Sequence, residues 1–120
     1  MKAYTKGITK EEFVKELKRH QQLDAFIKGT YSNDGNGDNF KGCAVGCSLH
    51  SVANLKDLEI KHNDHAAFEE HLGIPEWLAL VEDRIFEGLP EERRKLWPVE
   101  FAEAIPEGAD LDLVKTRFGS

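Results

Sequence analysis

Two cysteines and a histidine stand within ten residues, KGCAVGCSLH, Lys41 to His50. These side chains attack electrophiles, move protons and bind metal. On a helical wheel of about 100° per residue, Cys43, Cys47, His50 and Asn54 fall within a wedge of roughly 60°. Val45, Leu49 and Val52 lie nearly opposite, and Gly46 and Ala53 flank the wedge. Thiol catalysis needs a thiolate, a base and an orienting group. Cys47 and His50 are three residues apart and His50 and Asn54 four, so each pair can meet on one helix. Cys43 follows Gly42 at the predicted helix start, where free N–H groups and the helix dipole lower a thiol pKa. It lies about 10 Å along the axis from His50, too far for direct proton transfer. No single cysteine has both advantages. The candidate catalytic residues are Cys43, Cys47 and His50, with Asn54, His65 and Glu82 as candidate binding residues.

The same face suggests zinc as an alternative. Cysteines at i and i+4 can reach one ion, although C-x3-C-x2-H lies outside the usual knuckle spacing. Further ligands would come from KHNDHAAFEEH, which makes the alternative metal set Cys43, Cys47, His50, His62 and His65. Packing competes with both chemistries, because cysteine behaves as a small hydrophobe and a Gly/Ala/Cys face lets another helix approach closely. Buried inert thiols outnumber reactive ones, so packing is the stronger reading. Calcium is a poorer fit. Asp34, Asn36 and Asp38 alternate like the opening of an EF-hand, but Asn39 stands where the loop needs glycine and Val45 where it needs glutamate.

Helices must position these residues. Thr9 followed by Glu12 is a capping box, and the helix it opens carries Phe13, Val14 and Leu17, then Phe26 and Ile27, stopping at Gly29. The stretch SNDGNGDN then breaks the chain, and its flanks are compatible with a short hairpin near residues 30–41. A second helix is predicted over Gly42 to Leu58. Asp64 is placed to cap a third, HAAFEEHL, which Gly73 ends. Pro75 suits the first turn of a fourth. There Ile74, Trp77, Leu78, Val81 and Ile85 recur at helical spacing as a core stripe, with Glu82 at its rim, Asp83 pointing away, and Leu80 and Phe86 outside it. Gly88 ends that helix and Pro90 starts PEERRKLW. Pro98 breaks or kinks VEFAEAI, and Asp110 is placed to cap a last turn, LDLVKTRF. The predicted fold is mainly α, one domain of five or six short helices over residues 1–120. It divides into an N-terminal helix (8–28), a flexible loop (29–41) and a helical core (42–118).

Composition excludes some functions. The 120 residues carry 16 basic and 22 acidic side chains, a net charge of −6 with histidine neutral. Nucleic-acid binding needs clustered Lys and Arg, so nucleic acid is not expected as a partner. No apolar run approaches the roughly 20 residues of a membrane span, and MKAYTKGITKEEF has no apolar stretch of signal-peptide type. A cytoplasmic location with reduced thiols is the expectation.

GCAVGCSLHS, DHAAFEEHLGIPEWLALVEDRIFEGLP, WPVEFAEAI and GADLDLV together resemble a family of small uncharacterised bacterial and phage proteins. The resemblance runs from Gly42 to Val114 and implies a prokaryotic or phage origin; it transfers no activity and no catalytic residue. With no complete catalytic constellation in view, the expected function is that of a small soluble binding or interaction module contacting a protein or small ligand, without a cofactor. The alternative is a thiol-centred enzyme or zinc protein built on the Cys43/Cys47/His50 face.

Overall fold

The structure is a computed structural model that describes residues 1–35 and 37–111. The fold is mainly α. Six α-helices stand among the described residues: α1 (Lys10–Gln22), α2 (Ala44–Lys56), α3 (Ala66–Leu72), α4 (Glu76–Gly88), α5 (Glu91–Arg94) and α6 (Trp97–Ala104). Helix α1 packs on α6 and α2, and α2 and α3 pack on α4.

The capping box opens α1 as expected: the Glu12 amide donates to Thr9 Oγ1 at 3.1 Å and the Thr9 amide to Glu12 Oε1 at 3.0 Å. The helix ends seven residues before the glycine assigned to stop it. Asp24 adopts a left-handed φ of 55°. The Ala25 amide donates to the His20 carbonyl (2.9 Å) and the Asp24 amide to the Gln21 carbonyl (3.1 Å). This is the Schellman pattern with aspartate in the place glycine usually takes, and it turns Phe26 and Ile27 out of the helix. Asp57 also ends α2 in the left-handed region, at φ 53°, with its own amide and that of Leu58 both donating to the Ala53 carbonyl.

No hairpin forms near residues 30–41; among the described residues there is no strand. Instead the 25–43 connection bonds along the entrance to α2. The Gly42 amide donates to the Ala25 carbonyl (2.9 Å), the Ile27 amide to the Gly42 carbonyl (2.8 Å) and the Cys43 amide to the Thr30 carbonyl (2.9 Å). Asn33 braces the turn. Its Oδ1 accepts from the Gly35 and Lys41 amides, both at 2.9 Å, and its Nδ2 donates to the Asn39 carbonyl at 3.1 Å.

Two further boundaries depart from expectation. His65 rather than Asp64 precedes α3, and no side chain caps it. Pro98 lies in the first turn of α6, so it marks a helix start, and PEERRKLW splits between α5 and α6. The LDLVKTRF turn lies outside the described residues beyond Leu111. The N-terminal segment, to which the sequence assigned no role, is part of the core: Ala3, Tyr4 and Ile8 are buried. The Tyr4 amide donates to the Leu72 carbonyl (2.7 Å) and its hydroxyl to the Ala102 carbonyl (2.7 Å).

Of the predicted stripe, Ile74 before α4 is fully buried, but its residues within α4 are not core. Leu80 and Val81 are each 39% exposed and Ile85 40%, and Trp77 and Leu78 are only partly covered. The buried residues of α4 are Ala79, Glu82 and Phe86. Helical period locates an apolar face but not which face the neighbours cover. Here α2, α3 and α6 cover the side carrying Glu82 and leave the more apolar side in solvent.

Candidate functional site

The cysteine segment lies under the 25–43 connection because its glycines admit a crossing backbone. A Cβ on Gly46 or on Gly42 would collide with the Tyr31 carbonyl oxygen. Any side chain at either position would displace the strand of chain that covers the thiols. Residues Ala44 through Leu49 are all buried, so the first half of α2 is enclosed on every side.

Neither thiol is available as a nucleophile. Cys43 precedes the first residue of α2 in extended conformation, so the wheel that grouped it with His50 does not apply to it. Burial pushes its thiol up to about 12, and the Asp83 carboxylate beside it acts in the same direction. Cys47 is fully buried, and its Sγ donates to the Gly42 (3.4 Å) and Ala25 (3.6 Å) carbonyls. Burial, then the neighbouring Cys43, raise its pKa further still. Both are therefore thiols rather than thiolates at neutral pH, and the helix-start effect expected for Cys43 is outweighed by desolvation.

His50 turns away from the sulfurs toward α1. Its Nδ1 lies 3.1 Å from His20 Nε2, and His20 Nδ1 lies 2.9 Å from the Glu16 carbonyl. The Phe40 ring stacks flat on His50, centroids 4.0 Å apart, and His62 closes over Phe40 at 4.8 Å. Burial, then His20, His62 and Arg19, push His50 down to about 4 against the opposing pull of Glu16. His20 was missed in the sequence. The signal was present: it lies three residues after Leu17 on the apolar side of α1, a polar residue on a core stripe. Phe40 gave no such signal, because it emerges from an aperiodic loop.

The remaining candidates scatter. Asn54 is exposed. His65 meets the edge of the Tyr31 ring (5.7 Å) instead of either thiol, and its Nε2 is buried without a hydrogen-bond partner among the described residues. Glu82 lies in the core, 1% exposed, with Oε1 unpartnered. Burial raises its pKa well above the carboxylate range, and Asp83 adds to the shift. Asp83, expected to point outward, instead stands beside Cys43 with a buried, unpartnered Oδ1. Among the described residues no three His, Cys, Asp or Glu side chains converge as a metal site, so the five ligands of the zinc alternative do not form one centre.

No family model, curated protein or solved structure matches the chain. The surface then decides what can be argued. The broad groove between α1 and α6 is lined by charged side chains including Lys10, Lys15, Lys18, Glu16, Glu103 and Glu107, and is partly self-neutralised by a Lys18–Glu103 pair at 3.2 Å. Charges of both signs ring it, where a small-molecule site has a few converging polar groups. The outer side of α4 is different: Trp77, Leu80, Val81 and Ile85 form an apolar stripe with no helix upon it among the described residues. Among the described residues no helix is long and apolar enough to cross a membrane.

Proposed function

We propose that this is a small interaction module, of the prokaryotic or phage origin its resemblance implies, that docks the outer side of α4 into an apolar groove of a partner protein. The α4 stripe, uncovered among the described residues, carries the proposal. Trp77, Leu80, Val81 and Ile85 stand at i, i+3, i+4 and i+8, the spacing with which one amphipathic helix fills another protein's groove. The stripe is convex, which suits a protein partner rather than a small ligand, whose sites are concave. Net charge supplies the complementary term: a chain at −6 favours a groove rimmed by Lys or Arg. Four side chains fall short of the roughly 800 Å² per partner of a stable standard interface, so the contact is a transient one. Buried, protonated thiols weigh against the thiol-enzyme alternative, and no zinc is required by this reading.

A photo-crosslinking residue at position 81, with a control at exposed Lys15, tests it in cells that carry the gene. The expected result is a discrete crosslinked product from position 81 that Ile85→Glu abolishes while circular dichroism stays unchanged. A product of twice the chain mass would make the partner a second copy. Equal crosslinking from both positions, or none from position 81, would remove α4 as the contact.

A further inference from the structure

We propose that His20, His50 and the Phe40 ring form a pH-sensitive latch. It holds the 25–43 connection against α1 and α2 while both imidazoles are neutral and releases it when they take up protons.

Hydrogen bonding fixes both tautomers. The Glu16 carbonyl can only accept, so His20 Nδ1, 2.9 Å away, carries the proton. The Ser51 hydroxyl, 3.3 Å from the same nitrogen, is its second acceptor. His20 Nε2 is therefore the bare nitrogen. His50 Nδ1, 3.1 Å from it, must be the donor. The chain of donors runs His50 to His20 to the Glu16 carbonyl, with both rings neutral. One added proton can sit on His20 Nε2 if His50 moves its own to Nε2 and accepts at Nδ1; a second leaves both facing nitrogens, 3.1 Å apart, protonated head to head. A second proton on His50 places a cation in a half-buried stack against Phe40.

The charged surroundings do not relieve this. From α1, Arg19 faces the pair as a like charge and Glu16 as the opposing one. Arg19 is itself engaged by Asp38 at 2.8 Å and Glu16 at 3.4 Å. From the connection before α3 comes His62, another imidazole, with Asp34 opposing its loss of charge. Burial is the largest effect on all three histidines and lowers each. A depressed folded pKa means that stability is present above the unfolded value of about 6.5 and is lost as pH falls toward the folded one. The release is local to the part of the connection around Phe40, because buried Phe26 and the Gly29 amide on the Glu87 carboxylate (3.1 Å) fasten its first part elsewhere.

Amide hydrogen exchange on the full chain, read as protection factors between about pH 7.5 and about pH 5, tests the latch. Protection at Gly42 and Cys43 is expected to fall about tenfold per pH unit for each proton taken up, while Gly73 and Ile74 at the end of α3 keep theirs. In the double variant His20→Leu/His50→Phe the same amides should show no such dependence. Unchanged protection in the native protein, or an equal loss in every helix, would overturn the latch. Ring-nitrogen chemical shifts of the native protein give a readout independent of the variant's folding: a charged His50 at neutral pH would also overturn it.

Discussion

At the scale of single residues, desolvation dominates this protein's chemistry. It pushes two thiols, two imidazoles and the Glu82 carboxyl toward their uncharged forms, each in the direction that burial alone requires. Glu82 gives the sharpest consequence. Its folded pKa lies above the unfolded value of about 4.3, so its contribution is complete below that pH and is lost as pH rises through the folded value. The wild-type protein should lose up to about 1.4 kcal/mol per pH unit across that window from this one group. Glu82→Gln, close in shape and without a titrating proton, should flatten the slope and be the more stable form at alkaline pH. Urea unfolding at a series of pH values checks this; parallel curves for the two proteins would show that Glu82 ionises without penalty.

At the scale of elements, α4 turned out to bury its narrower, partly polar side. The helical period in Trp77, Leu78, Val81 and Ile85 identified a helix correctly, and Pro75 and Gly88 bracketed it. Which side faces inward was not legible, because the helix is apolar over more than half its circumference and α2, α3 and α6 select among the available faces. Phe86→Ala should therefore cost about 3–5 kcal/mol as a full core truncation. Trp77→Ala should cost about 1–2 kcal/mol, in proportion to its partial cover. Denaturant unfolding of both variants decides the matter, and a larger loss at Trp77 would restore the stripe as core. The early end of α1 has a similar cause. A Schellman turn closed by Asp24 carries a weaker sequence signal than the glycine five residues on, although its two backbone bonds are the same.

At the scale of the whole molecule, the 25–43 connection is a structural layer rather than a loose link. It covers both sulfurs, places Phe40 between histidines from two different segments and crosses α2 where only glycine fits. Gly46→Ala should be destabilising by about 1–3 kcal/mol, because the added methyl meets the Tyr31 backbone rather than a yielding side chain. Gly88→Ala, with open space around its Cβ, should instead stabilise by up to about 1 kcal/mol through helix propensity. Thermal unfolding of the two variants should therefore shift in opposite directions. Shifts of the same sign would mean that the connection yields to Gly46→Ala.

What the sequence determined by itself is local in origin. Helix type, most helix starts, the capping box at Thr9, the stop at Gly73 and the acidic surface follow from propensity, period and charge among neighbouring residues. Tertiary structure alone decided which faces are covered, and with that the chemistry. Whether a cysteine is a thiolate, a histidine a cation or a glutamate an anion depends on water being excluded by segments distant in the chain. His20 and His50 are thirty residues apart, and Tyr31 reaches Gly46 only after the chain has left α1 through a left-handed aspartate. The wheel placed His50 beside the cysteines because it sees one helix. The fold gave it to His20 because a second helix offered a nitrogen that could accept its proton.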